Sequence, residues 1–184
     1  ANVFALKRAG ATMLLGFSAV GSLALEVAPG TLAMPEQYVD WTRGGREQSF
    51  FGGGVAAHAS TARPVSAALV GAVQAAAQRS GASLTRGLTY ACVEGPRLGT
   101  QAESHLLRQL GCHLVGMTNV PEVFLAREAQ MAYATVGLVT DYDSWLDDPA
   151  QHVSVGAIFE RYGQTLTVAR QVLDELLRVP LPEP

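Results

Sequence analysis

At 184 residues the chain fits one ordinary domain, and its 13 basic against 16 acidic side chains, with no basic run longer than Lys7-Arg8, argue against a nucleic-acid-binding surface. No apolar stretch reaches the roughly 18 residues of a membrane span and no signal-peptide pattern is present, so we expect no membrane association. The spacing of Cys92 and Cys112 suits neither a zinc site nor a disulfide framework, which predicts buried free thiols in a cytoplasmic protein.

The first part of the chain predicts one helix followed by short strands. "NVFALKRAG" predicts a helix that ends at Gly10. "TMLLGF" predicts a short buried strand, and "SAVGS" predicts a turn of small residues after it. "TLAM" and "QYVDWT" predict two further strands. Residues 43–61 are rich in glycine and lack periodicity, which indicates a mobile surface loop.

The remainder of the chain alternates helices with strands. A helix is predicted from Pro64 to about Arg79, then the long strand "SLTRGLTYACV", then the helix "TQAESHLLRQLG" with Thr100 as its cap. "HLVGMT" predicts a strand, "PEVFLAREA" a helix and "AYATVGLV" a strand. Apolar residues at helical spacing predict a last helix from the cap Ser154 to Pro180. The alternation predicts a single α/β domain over residues 1–184.

Unusual residues follow four of the predicted strands. In α/β proteins ligands gather at the carboxyl ends of strands, because the loops there converge over helix N-termini. The four segments are "SAVGS", "EGPRLGT", "MTNVPE" and "TDYD". Each also has an ordinary structural explanation: a tight turn, a surface ion pair between Glu94 and Arg97, a core methionine at Met117, and a pair of solvated or capping aspartates. Taken singly, none of these segments specifies a site.

Three long segments resemble the methylthioadenosine phosphorylases, within the purine nucleoside phosphorylase superfamily: "ANVFALKRAGAT", "VEGPRLGTQAES" and "GCHLVGMTNVPEVFLAREAQMAYATVGLVTDYDSW". The resemblance runs along nearly the whole chain. It implies a three-layer α/β fold, with a mixed twisted sheet flanked by helices and without the family's N-terminal strands. It also implies cleavage of a 5′-modified adenosine by phosphate, giving adenine and a ribose 1-phosphate. Phosphate is then a co-substrate, and no cofactor or metal is expected.

The resemblance implies that Asp141 and Asp143 contact N7 and the exocyclic amine of adenine. Residues two apart on an extended segment point to the same side, so both can meet the purine edge. A free aspartate, with a pKa of about 3.9, is too acidic to donate a proton at neutral pH, but a buried neighbour of like charge raises one pKa of such a pair. Asp141 is therefore predicted to be the general acid toward N7 and Asp143 the acceptor for the amine, which favours adenine over hypoxanthine.

The phosphate and the ribose are expected on the other side of the same site. The resemblance implies that phosphate lies against Ser18, Ala19 and Thr118, and that Met117 lies under the ribose. Serine at position 18 keeps the hydroxyl of the threonine that the family carries there.

The 5′ substituent is implied to lie against Val155 and Ile158, an apolar setting that makes methylthioadenosine the first-choice substrate. His58 matches a histidine that a neighbouring subunit lends to the site of a trimer, and the loop at 43–61 would then be an ordered part of the interface. Leu98 replaces the aromatic residue that covers the purine in the family, and Gly99 replaces a serine.

Relatives also carry, ahead of the segment that matches Ala1, a portion with a Gly-Gly-Thr-Gly phosphate turn and an Arg-His pair that binds phosphate. This sequence contains neither, and without the family's first strands the sheet is expected to have bare hydrogen-bonding edges. Three interpretations stay open: a complementary polypeptide completes the site, the sequence is a fragment of a longer enzyme, or it is a non-catalytic subunit that binds purine nucleosides or serves as a scaffold. A nucleoside hydrolase that uses water in place of phosphate is a further alternative.

Overall fold

The computed structural model of the protein describes residues 2–146 and 155–183. Within these ranges the helices are Asn2–Arg8 (α1), Ala67–Ser80 (α2), Gln101–Gln109 (α3), Glu122–Glu128 (α4) and Val155–Leu177 (α5). The strands are Met13–Ser22 (β1), Leu32–Trp41 (β2), Leu84–Val93 (β3), Leu114–Gly116 (β4) and Ala132–Tyr142 (β5). Their order along the chain confirms the predicted α/β class.

The five strands form one mixed sheet that closes in the order β1-β4-β3-β2-β5. β1 runs parallel to β5 along its whole length, and β3 runs parallel to both β2 and β4. The two antiparallel contacts, β1 with β4 and β2 with β5, join only two residue pairs each. On the edge that faces away from β5, β1 therefore pairs with a described strand only at Gly21 and Ser22, and its backbone from Met13 to Val20 has no ladder partner there.

Helices cover both faces of β5, the most deeply buried strand. Alternate residues of a strand point to opposite faces. Ala134, Val136 and Leu138 thus pack with the apolar sides of α2 and α5, while Tyr133 and Val139 pack in a second cluster with α1 and α4. The result is the predicted arrangement of a mixed sheet flanked by helices.

The prediction that "SAVGS" is a turn was wrong, because Ser18 to Ser22 continue β1 as extended backbone. The small residues instead allow neighbouring segments to approach β1 closely. A Cβ atom on Gly21 would lie 3.1 Å from a methyl group of Val115 and 3.4 Å from a carboxylate oxygen of Asp141. The strand that "AYATVGLV" predicts likewise runs further, so Asp141 lies inside β5 and Asp143 directly after it.

Two other strand boundaries differ from the predictions. "TLAM" and "QYVDWT" belong to a single strand, β2, whose pairing with β3 shifts register on both sides of Pro35. Proline has no backbone N–H to donate, so it interrupts a ladder without ending the strand. β4 is shorter than "HLVGMT", because Met117 and Thr118 have left the sheet.

The helix predictions hold more closely. α3 begins after Thr100 with a capping box, in which the Thr100 side chain accepts from the Glu103 backbone and the Glu103 side chain accepts from that of Thr100. α2 begins at Ala67 with Ser66 as its cap, slightly later than predicted from Pro64. Residues 43–61 form neither helix nor strand, as predicted. Across the described part of the chain, no helix combines the length and the apolar character needed to cross a bilayer.

Candidate active site

The last residues of four strands and the segments that follow them enclose a cavity of about 260 Å³. Eight of the residues that the sequence predicted for the site line it: Ser18, Ala19, Leu98, Met117, Thr118, Asp141, Asp143 and Ile158. An apolar cavity of about 150 Å³ is enough to bind benzene, so this one has room for a two-ring base. The structure thus brings together residues that are up to 140 positions apart in the sequence.

Asp141 lies at a bulge near the end of β5. The β1 partners shift there, so that Val20 pairs with Val139 and Gly21 with Asp141, which leaves Thr140 as the extra residue. The Thr140 hydroxyl donates to Oδ1 of Asp141 at 2.5 Å. Burial raises the pKa of Asp141 above its ordinary value; the Thr140 hydrogen bond opposes this shift, and the charge of Asp143 adds to it.

Asp143 is 9% exposed and is held from two sides. Its backbone N–H donates to the carbonyl of Ser22 at 3.0 Å, and its Oδ2 accepts a hydrogen bond from the hydroxyl of Ser104. Ser104 is fully buried in the first turns of α3, whose start the Thr100 capping box defines. Burial raises the pKa of Asp143 as well, and the hydrogen bond from Ser104 is the largest opposing effect.

The sequence predicted a raised pKa for one aspartate, caused by its charged neighbour. In the structure both pKa values are raised, and desolvation by burial is the leading cause for each. The charge of Asp143 has a smaller effect on Asp141 than burial or the Thr140 hydrogen bond. The physical reason for the prediction was therefore incomplete. Burial by the surrounding strands raises both pKa values, and it has a larger effect than the charge of the neighbouring carboxylate.

Hydroxyl groups also line the cavity. Oγ of Ser18 and Oγ1 of Thr118 are hydrogen-bonded at 2.8 Å, and Thr118 donates to the side-chain oxygen of Asn119 at 3.0 Å. Ser18, Ala19 and Thr118 also line an adjoining cavity of about 420 Å³ that reaches Glu122. Among the described residues, no lysine or arginine lines either of these two cavities.

Leu98 and Gly99 leave one part of the cavity rim open. Leu98 lines the cavity but is 47% exposed, so it covers a ligand only from the rim. A Cβ atom on Gly99 would meet nothing closer than 3.9 Å, where it would approach Asp143, Glu103 and Ser104. The backbone at Gly99 therefore has room for a larger side chain beside the carboxylate.

One predicted residue lies elsewhere, and the side chain of another is not among those described. His58 borders a separate surface cavity of about 630 Å³ together with Arg127 and Gln130, so within one chain it does not reach the aspartates. That a neighbouring subunit receives it stays a prediction. Val155 is the first residue of α5, and its side chain lies outside the described residues; Ile158, one turn later, lines the cavity.

Sequence reasoning missed several residues of the site. Ser104 and Thr140, which donate to the two carboxylates, gave no signal beyond being polar residues in apolar surroundings. Within the described ranges no three or more His, Cys, Asp or Glu side chains are grouped as metal ligands would be. Cys92 and Cys112 are buried free thiols, as predicted.

The chain is similar to proteins of one family along almost its whole length. The sequence profile of the phosphorylase superfamily matches residues 1–178. The S-methyl-5′-thioadenosine phosphorylase of Rhodospirillum rubrum is 50% identical over 173 residues, which are 94% of this chain and 58% of that protein. The relative from Geobacter sulfurreducens with the same name is 43% identical over 178 residues, and 62% of it is covered. The chain thus spans less than two thirds of the length of these curated relatives.

A solved structure is also similar to almost the whole of this chain. A mutant adenosine/methylthioadenosine phosphorylase from Schistosoma mansoni, solved in complex with adenine, matches with a TM-score of 0.91 at 30% identity. The match covers 97% of this chain and 69% of that one. At this similarity the predicted nucleoside-phosphorylase-like fold is confirmed.

Proposed function

Because the chain belongs to the phosphorylase superfamily, we propose that it is the purine-binding part of a phosphorylase that acts on 5′-methylthioadenosine or another 5′-modified adenosine. Phosphate would cleave the nucleoside to adenine and a ribose 1-phosphate, without a cofactor. The observation that carries the proposal is the pair of buried carboxyl groups, Asp141 and Asp143, on one wall of a cavity with room for a purine.

The two carboxyl groups have different tasks in this reaction. The bond between C1′ and N9 breaks, its electron pair moves into the purine, and a phosphate oxygen bonds to C1′. Burial raises the pKa of Asp141 and so favours its protonated form, and we assign that proton to N7, so that adenine leaves as a neutral base. Asp143 already accepts from Ser104 at Oδ2, which leaves Oδ1 to accept from the exocyclic amine. A 6-oxopurine would present an acceptor there instead, at a cost of about 1–3 kcal/mol.

The sugar and the phosphate lie on the side of Met117, Thr118 and Ser18 in this proposal. The two hydroxyl groups supply hydrogen bonds to phosphate, but a dianion also requires positive charge, and no basic side chain of the described residues lines the cavity. We therefore expect the cationic groups to come from a portion outside these 184 residues, present as a complementary polypeptide or as a continuation of the chain. The unpaired edge of Met13–Val20 offers that portion a strand to pair with.

Assembly as a trimer, in the cytoplasm, completes the proposal. His58 would reach the site of a neighbouring subunit, and Val155 and Ile158 would meet the 5′ substituent. The free thiols of Cys92 and Cys112 suit a reducing compartment.

The decisive experiment supplies the missing portion. The chain is co-expressed with the first third of the Rhodospirillum rubrum relative, and the purified complex is given methylthioadenosine with and without phosphate. We expect adenine and a sugar phosphate to form only when phosphate is present. A complex that binds methylthioadenosine but releases no adenine under either condition would contradict the phosphorylase.

Two other functions have support from particular observations. The absence of a basic residue along the cavity, within the described part of the chain, favours a hydrolase; adenine and an unphosphorylated sugar formed without phosphate would establish it. The exposed Leu98 and the space beside Gly99 favour a non-catalytic subunit that binds nucleosides or serves as a scaffold. In that case Asp141→Asn leaves the activity of its partner unchanged, as does the control Asp174→Asn at an exposed position of α5.

A further inference from the structure

The segment Met117–Val120 forms the sugar side of the cavity but belongs to no helix or strand. Met117 and Thr118 line the cavity with their side chains, while the backbone carbonyls of Met117 and Val120 both accept hydrogen bonds from one arginine outside the cavity. A segment without its own ladder depends on such contacts for its position, because few backbone hydrogen bonds within it restrict its conformation.

That arginine is Arg46, from the glycine-rich loop 43–61. Its Nη1 donates to the Met117 carbonyl at 2.9 Å and to the Val120 carbonyl at 2.6 Å. Its Nη2 donates at 2.8 Å to Oε1 of Glu94, the residue directly after β3. Only 24% of the Arg46 side chain is exposed. The planar guanidinium group thus joins the loop, the end of β3 and the sugar side of the cavity, which a lysine with a single nitrogen could not do as well.

We propose that Arg46 is a positioning residue for the nucleoside, which holds Met117 and Thr118 in place against the ribose and the phosphate co-substrate. The inference rests on the proposed function for the identity of the ligand. The aspartates lie on other elements, β5 and the residue after it, and bond to Thr140, Ser104 and Ser22 rather than to this segment. Loss of Arg46 should therefore affect the sugar side of the ligand and spare the base.

Binding measurements separate these two effects. We expect Arg46→Gln to weaken binding of methylthioadenosine by about tenfold or more, as loss of charge-assisted hydrogen bonds implies, and to change binding of free adenine by less than about threefold. Arg46→Lys keeps the charge and one donor, so its affinity for methylthioadenosine should lie between those of Arg46→Gln and the wild type. Arg63→Gln, at an exposed arginine two residues after the same loop, is the control and should leave both affinities unchanged. Equal weakening of both ligands, or no weakening of either, would overturn the inference.

A measurement without ligand tests the same contact directly. The sequence has four methionines, so methyl-labelled methionine gives a simple spectrum. In Arg46→Gln the Met117 signal should shift or broaden, while the signal of the fully buried Met34 in a distant cluster should not. An unchanged Met117 signal would refute the role of Arg46, even if the wild-type protein bound neither ligand; failure of the wild type to bind either ligand would contradict the proposed function alone.

Discussion

Replacement of Ser104 by alanine removes the hydroxyl that donates to the carboxylate of Asp143 and that also lies 3.2 Å from the Thr100 carbonyl. Both side chains are buried: Ser104 is fully buried and Asp143 is 9% exposed. A hydrogen bond to a charged group contributes about 1.5–3 kcal/mol. Because the Ser104 hydroxyl favours the ionised form, its loss should raise the pKa of Asp143 beyond the rise that burial already causes.

The stability of the variant then depends on pH in a defined direction. Ser104 stabilises the ionised form of Asp143, so its contribution exists above the folded-state pKa of Asp143 and is lost as the pH falls through it. At pH 8 we expect the free energy of unfolding of Ser104→Ala to be lower by about 1.5–3 kcal/mol, equivalent to a Tm lower by roughly 3–10 °C. At acidic pH, with Asp143 protonated, the difference should shrink to that of a neutral hydrogen bond, about 0.5–1.5 kcal/mol.

Denaturant unfolding of both proteins across this pH range provides the test. Ser80→Ala is the matched control, because the Ser80 hydroxyl donates to the neutral carbonyl of Ala77 at 3.0 Å and should show no such pH dependence. Ser104→Thr keeps the hydroxyl and should recover part of the loss at pH 8. A difference between Ser104→Ala and wild type that stays constant with pH would show that Ser104 does not act on the Asp143 carboxylate.

Three other substitutions test the rest of the site. Leu98→Phe adds an aromatic face over the base and should tighten adenine binding by about 2- to 12-fold in calorimetry, since stacking contributes about 0.5–1.5 kcal/mol; no gain would mean that position 98 does not cover the base. Gly21→Ala brings a methyl group to 3.1 Å from Val115 and should lower the free energy of unfolding by about 1–3 kcal/mol. Gly99→Ala is its control and should be tolerated, because the nearest atom lies 3.9 Å from the added methyl group. Equal Tm values for the two variants would contradict the packing at Gly21. Asp141→Asn should lower kcat of the completed enzyme by about 10²–10⁴-fold and abolish the fall in rate as the pH rises through the raised pKa of Asp141; a variant that keeps the wild-type pH profile would exclude Asp141 as the acid.

Local sequence signals predicted most elements, and the resemblance to the phosphorylases predicted the members of the site. These signals depend only on residues close together in the chain, so they can be recognised without the fold. Examples are the cap at Thr100, the helical period of α5 and the apolar run of β5. The predictions failed where small residues are compatible both with a turn and with close packing of strands. "SAVGS" reads as a turn by composition, but in the structure Gly21 lets β1 approach Asp141 and Val115, a contact between segments far apart in sequence.

What the amino-acid sequence determined by itself is the alternation of elements, the family to which they belong, and the two acidic residues near the end of a buried strand. These follow from short-range patterns and from motifs that lie within single segments. Only the tertiary structure decided the surroundings of the cavity: burial as the main cause of the raised pKa values, Ser104 as a donor from a distant helix, and Arg46 on the backbone of Met117. Desolvation and long-range hydrogen bonds depend on the atoms that surround a group in space, and those come from parts of the chain that no local pattern connects.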